Sequence, residues 1–291
     1  MIMTVTRTHP WLPISQEQIN LFDRDGFLIL PEVLSSEDVE EMVRVGDDLL
    51  KSSDPNNRRD VSGCDGYRNV IERHPLFLNY LCHPSTFPLV VQMLGPHIQL
   101  HTSDLIYKDS ESHPVTKELK GNAWHRDIGR LTRNIPHDVM PRVEIKVAFM
   151  MSDCPDNTYG QTRLARGSHL WRKGWSPTKD QLDPPETVVP TLKAGDVFMF
   201  ENRTWHSPGP NISGHTRKIL MMGYSYNWLR PDDYLHQSPE LLESCDPIQQ
   251  SLLEIPNLNA NDEGRFRANS RTTPLEEWAN EHGCQSPLLK S

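Results

Sequence analysis

A chain of 291 residues that is 36% hydrophobic and 24% charged has enough apolar material for a sizeable core, which excludes a disordered polypeptide and fits one large domain or two small ones. No apolar run approaches the roughly 18 residues of a membrane span, and a net charge of −9 argues against a broad nucleic-acid surface, which would have to be basic. The five cysteines are odd in number, scattered and without a CxxC pair, so they are expected to be reduced thiols rather than a disulfide frame or a zinc site. The start, MIMTVTRTHPWLPISQ, shows no apolar leader core, and the expectation is a cytoplasmic protein.

In chain order, SQEQINLFDRDG predicts a helix with Ser15 as N-cap, Gln18 completing a capping box and Gly26 as stop. GFLILPEVL reads as a short apolar strand. SSEDVEEMVRVGDDLL places Val39, Met42, Val43, Gly46, Leu49 and Leu50 on one helical face. STFPLVVQMLG predicts a shorter helix ending at Gly95. From about residue 97 the texture changes: HIQLHTSDLIYK, RVEIKVAFMM, ETVVPTLKAGDVFMF and RKILMMGYSYNW all carry strand signals. The tail returns to helix in TPLEEWANEHG, with Thr273 as N-cap, Pro274 behind it, Glu276 closing a capping box and Gly283 as stop. Strands after a helical lead-in predict a β-sandwich or barrel with helices packed outside. We expect one domain over 1–291: a helical lead-in over about 1–96, a β core over about 97–228 and a helical extension over about 229–291.

The segment NAWHRDIGR holds His125 and Asp127 two residues apart. Thirteen histidines and an ordinary aspartate frequency give about one His-x-Asp by chance, so the pair taken alone reads first as a surface hydrogen-bonded pair. If the segment is extended, both side chains point to one side. His206, after the strand GDVFMF, is the candidate third ligand. Two histidines and a carboxylate on one face of a metal suit non-haem Fe(II), which needs open positions for co-substrate and dioxygen. Arg217 begins the next strand, where a guanidinium can hold a carboxylate by two parallel hydrogen bonds.

HRD, GSH at 167–169, AGDVFMFENRTWHSPGPN and Arg217, in this order, resemble the phytanoyl-CoA dioxygenase family, and FDRDGFLILPEVLSSEDVEEM resembles that family's opening. The resemblance covers roughly 16–228. It implies a mainly β fold with a double-stranded β-helix (jelly-roll, cupin-like) core. It implies iron(II) held by His125, Asp127 and His206, and 2-oxoglutarate and dioxygen as co-substrates. The distal carboxylate of 2-oxoglutarate falls to Arg217 by the same resemblance, with Tyr107 beside the co-substrate and Phe149 lining its pocket. Many members carry a hydroxyl residue two positions after the second histidine, and here that position is Pro208, with Ser207 one earlier. Relatives that halogenate lack the carboxylate ligand. Asp127 therefore implies hydroxylation, desaturation or ring formation, coupled to release of succinate and carbon dioxide.

Other chemistry-bearing residues have plainer readings. His97 and His101 carry helical zinc-pair spacing in a segment that reads as strand, without the HExxH glutamate, and are expected to be structural, with His101 a possible barrel-lining residue. Trp171, Trp175, Trp205 and Trp228 are expected in packing. Arg126, Arg130 and Arg133 face either an anionic substrate or solvent. Lys146, inside a strong strand, either snorkels or enters the barrel. The polar segments 108–123 and 129–141 flank the metal strand as lid candidates. The expected substrate is a small polar metabolite in a biosynthetic step. The competing functions are a zinc hydrolase on the same triad and a β-barrel binding protein without chemistry.

Overall fold

A computed structural model of the chain describes residues 9–52, 64–111, 124–253 and 272–284. The chain packs as two compact units: Ser15–Arg68 with Asp104–Met221, and Met1–Ile14 with Asn69–Ser103 and Met222–Ser291. No helix among the described residues is long and apolar enough to cross a membrane.

Helix α1 (Gln16–Asp25) has the expected ends. Ser15 accepts from the Gln18 backbone, Gln18 closes the capping box, and Gly26 at φ 82° terminates the helix. Strand β1 (Phe27–Leu30) follows at once. Helix α2 (Ser36–Ser52) buries Met42, Val45, Gly46 and Leu50; Val45 joins the packed face, while the expected Val39, Val43 and Leu49 are half-buried at its edges. Gly46 has a local reason. A Cβ there would lie 2.5 Å from the Tyr107 hydroxyl, and the helix can approach its sheet only without one.

The strands build two sheets. β2 (Asp65–Arg68), β3 (Ile98–Lys108), β4 (Glu144–Met150), β7 (Val197–Glu201) and β9 (Arg217–Tyr226) join β1 in a six-stranded sheet of order β1-β7-β4-β9-β3-β2. β5 (Thr162–Ala165), β6 (Thr187–Val188) and β8 (His206–Pro208) form a three-stranded sheet of order β6-β5-β8. One apolar cluster joins them: Phe27, Ala148, Phe198, Phe200 and Ile219 from the large sheet meet Leu164 and Val188 from the small one. Two antiparallel sheets closed over such a core are the double-stranded β-helix predicted.

This cluster fixes the strand faces. Ala148 and Met150 of β4 and Ile219 of β9 face the small sheet, so Lys146 and Arg217, two residues from these, share the inner face. The opposite face carries α2: the Tyr67 hydroxyl donates to Leu49 O at 3.2 Å, and Lys218 Nζ reaches Asp47 at 2.7 Å.

In the other unit, α3 (Phe87–Leu94) ends at Gly95 as expected. Thr273 and Glu276 form the predicted capping box of the helix Pro274–Glu281. Trp278 stacks on Phe87 at 5.5 Å and donates to His9 O, while His9 pairs with Asp246 at 2.8 Å. His97 lies 3.1 Å from Glu276 and His101 is buried, 3.9 Å from Asp232, which are structural settings for both. Trp228 departs from expectation: it is 66% exposed and stacks on Tyr226 at 5.7 Å. All five cysteines are buried thiols outside any disulfide.

The α1 capping box supports the first turn ahead of β1. Ser15→Ala is expected to cost about 1 kcal/mol of stability, read as a lowered urea midpoint with an unchanged slope.

Candidate active site

β8 is held in register with β5, with Leu164 opposite His206. On its other side His206 forms a single antiparallel bridge with His125: His125 N donates to His206 O at 2.9 Å and His206 N donates to His125 O at 3.0 Å. The metal strand is therefore one bridged pair, not a regular strand. Asp127 is fixed by its backbone N–H, which donates to Asn202 O at 3.1 Å. Immediately after it, β-branched Ile128 sits at φ 51°, a left-handed conformation costly for such a residue. It turns the chain sharply into the short helix Gly129–Asn134. Of the two lid candidates, residues 129–141 hold this helix and a 3-10 turn, His137–Val139; most of 108–123 lies outside the described residues.

These contacts bring ligand atoms of His125, Asp127 and His206 within 4.8 Å of one another. Asp127 Oδ1 lies 3.9 Å from His125 Nε2 and 3.6 Å from His206 Nε2, and the imidazole centroids are 4.2 Å apart. His206 Nδ1 donates to Thr204 O at 3.0 Å. That bond selects the tautomer whose Nε2 lone pair faces the other two ligands. Burial and the nearby His125 push the His206 pKa down to about 4, against the opposing pull of Asp127, so its imidazole is neutral at physiological pH, the form a metal requires.

The turn between β7 and β8 holds His206 in place. Asn202, fully buried, accepts from Val143 N and Glu144 N through Oδ1. Glu201, also buried, takes Arg203 at 2.7 and 2.9 Å and Arg142 on its other side. These two guanidiniums hold its carboxyl below the usual range despite burial. Thr204 Oγ1 donates to Gly26 O at 2.9 Å. The GSH turn is a support, not a ligand set: Ser168 Oγ accepts from Trp205 N at 2.8 Å, and the His169 ring contacts Asp23 O at 3.0 Å. Composition gives no signal for Asn202 or Thr204; their only mark in the sequence is their place in the turn before His206.

Arg217 is 4% exposed. Its Nη1 donates to Gly160 O and its Nε has no partner. Among the described residues no carboxylate pairs with it. A buried guanidinium in this state is suited to an anion, because an unpaired buried charge is expensive. Lys146 is buried on the same inner face, 3.1 Å from buried Glu144, and its charge reaches His206. It enters the barrel rather than snorkelling.

Two residues expected near the co-substrate face elsewhere. Ile106 clusters with Cys64 and Met221 on the inner side. Its neighbour Tyr107 takes the opposite face, where Lys218 Nζ lies 4.9 Å from its ring and burial with Asp47 raises its pKa. Phe149 is fully buried but alternates with Ala148 and Met150, and so points away from Phe200, whose ring lies 4.6 Å from His206. The structure does not bring either residue to Arg217 or the triad. Ser207, beside the variant Pro208, accepts from Arg163 Nη2 at 2.9 Å.

Two imidazoles and a carboxylate with a buried anion-seeking arginine on the same inner face fit a facial Fe(II) site with its co-substrate. The chain belongs to the phytanoyl-CoA dioxygenase family, whose profile matches residues 22–219. It is thus an iron- and 2-oxoglutarate-dependent dioxygenase, using Fe(II), 2-oxoglutarate and dioxygen. It is 23% identical over 274 residues to dioxygenase andF of Emericella variicolor, covering 89% of this chain and 92% of that one. It is 25% identical over 261 residues to an ectoine dioxygenase of Bordetella bronchiseptica, covering 78% and 81%. HygX from Streptomyces hygroscopicus, solved with nickel and 2-oxoglutarate, shares the fold with a TM-score of 0.58 at 18% identity, covering 80% of this chain and 94% of that one.

The depressed His206 pKa has a signed consequence. Below the unfolded value near 6.5 the unfolded chain binds a proton that folded His206 refuses until about pH 4. Metal-free protein should therefore lose stability as pH falls through this window. His206→Gln should flatten that part of the profile in urea titrations from pH 7 to 4; an unchanged slope would show that His206 ionises normally.

Proposed function

We propose that this enzyme oxidises an unactivated C–H bond of a small-molecule metabolite in a biosynthetic tailoring step, converting 2-oxoglutarate to succinate and carbon dioxide. The observation that carries this reading is Arg217: a buried guanidinium without a carboxylate among the described residues, on the inner face shared with Ile219, Phe200 and the triad. A hydrolase has no use for it.

In this reading His125, Asp127 and His206 hold Fe(II), which when bound supplies the oxidising chemistry. Asp127 brings the one negative charge of the ligand set. The Thr204 carbonyl holds the His206 ring by its Nδ1–H. Arg217 binds the distal carboxylate of 2-oxoglutarate. Ala148, Met150, Phe198, Phe200 and Ile219 keep water from the space between, which strengthens the arginine–carboxylate pair. Lys146 marks the substrate end. Met151 N donates to Lys218 O at 3.0 Å, so Arg217 lies beside the end of β4 away from Lys146, and the five residue steps from Lys146 to Met151, roughly 17 Å of extended chain, lie between them. The paired ammonium and carboxylate at Lys146 and Glu144 suit a polar substrate. Small-molecule oxygenation is also what the name of the ectoine dioxygenase relative states.

His206→Ala should abolish iron binding and turnover together. Arg217→Ala should leave iron bound and weaken 2-oxoglutarate binding about 10- to 100-fold, the value of a charge-assisted bidentate pair. Both are read anaerobically by the visible absorption of Fe(II) with 2-oxoglutarate, and aerobically by succinate release. Wild-type behaviour of Arg217→Ala at low 2-oxoglutarate would remove that residue from the co-substrate site.

A further inference from the structure

Between the two ligands of the HRD segment stands Arg126, and its side chain leaves on the side away from them. It is 5% exposed, and no carboxylate pairs with it among the described residues. Its guanidinium lies 5.3 Å from the centroid of the Trp205 ring. Nη2 donates to Ser168 O at 2.8 Å and Nη1 lies 2.8 Å from His137 Nδ1. Guanidinium has no acceptor, so Nδ1 of His137 must be the unprotonated nitrogen. Gly174 leaves room for this imidazole: a Cβ at that position would sit 2.9 Å from His137 Nε2.

The partners are not arbitrary. Trp205 immediately precedes His206, and its backbone N–H is held by Ser168 Oγ at 2.8 Å. Arg126 immediately follows His125 and immediately precedes Asp127. Arg126, Trp205 and Ser168 therefore close a cycle behind the metal site, with one side chain gripping both ligand-bearing segments. We propose that Arg126 is a positioning residue that sets the relative orientation of His206 and the His125–Asp127 segment, and that through His137 it ties the segment after Asp127 to the same frame. This rests on the His125–Asp127–His206 metal centre.

The chemistry needs arginine. A flat face must lie on an indole while two donors point in different directions, to a carbonyl and to an imidazole. A lysine ammonium keeps the charge but offers no planar face and no fixed fork. Partners outside the ligand set that orient it are commonly worth 10- to 100-fold in metal affinity.

The test uses the full chain, free of metal, titrated with Co(II), whose visible absorption reports ligand geometry. Arg126→Ala and Arg126→Lys should each lower Co(II) affinity about 10- to 100-fold and alter the absorption of the saturated protein, with far-ultraviolet circular dichroism unchanged. His137→Ala should give a smaller loss. Millimolar guanidinium should restore affinity to Arg126→Ala, and methylammonium of equal charge should not. Wild-type affinity and absorption in Arg126→Lys would overturn the proposal, because charge alone would then suffice. So would failure of guanidinium to act on a folded Arg126→Ala. Should Arg126→Ala not fold, Arg126→Lys decides, and wild-type affinity and absorption there overturn it. His206→Ala is the control: if it binds Co(II) as the wild type does, the metal centre itself is wrong, a result distinct from failure of Arg126.

Discussion

Two backbone hydrogen bonds between His125 and His206 are the constraint on which the site depends. The residues are far apart in sequence, and neither lies in a long strand. His206 sits in a three-residue strand, in register with Leu164 on one side and with His125 on the other. The small sheet thus ends on the metal segment. Its register, locked by the apolar cluster against the large sheet, carries directly into the spacing of the ligands. Asp127 is added by one further backbone bond, to Asn202, from the turn that also launches His206.

Buried charge is distributed by purpose. Glu201 is matched by Arg142 and Arg203, and Lys146 by Glu144. These pairs satisfy the cost of burial within the fold. Arg217 and Arg126 are handled differently. Arg217 keeps donors directed into the barrel, where the co-substrate's own carboxylate would complete the pair. Arg126 is satisfied by an indole face, a carbonyl and an imidazole, which give direction without adding a second negative charge beside Asp127. Arg217 thus lacks a carboxylate among the described residues, whereas Arg126 has directional partners of its own.

The chain ends of the helices were legible because capping is local chemistry. Ser15 with Gln18, Thr273 with Glu276, and Gly26 each act over three or four residues, and no tertiary contact is needed to read them. The candidate metal ligands were legible as residue types in a pattern, His-x-Asp and a histidine after a strand, and the resemblance supplied their grouping; the structure brings their ligand atoms within 4.8 Å of one another. The helical face of α2 was read turned to one side: Met42, Gly46 and Leu50 are its centre, Val45 was missed, and Val39, Val43 and Leu49 are only half-buried, because valines and leucines are alike in sequence and only the sheet beneath distinguishes them.

What the sequence by itself determined was the longer helices and strands, their order and the candidate donors to iron and to a carboxylate; the short strands Thr162–Ala165 and His206–Pro208, which carry one ligand and its register, gave no signal of their own. Only the tertiary structure decided which way the strand residues face. β3 is buried along nearly its whole length and β4 along all of it, so burial does not alternate; around Tyr107 and Phe149 the neighbours Ile106, Ala148 and Met150 are apolar too, and no period-two signal marks the inner face there. Tyr107 and Phe149 were therefore one residue out of phase with the cavity, and a one-residue shift reverses the face. The same holds for Arg126: its partners Trp205, Ser168 and His137 come from three other segments, and only folding brings them to one guanidinium.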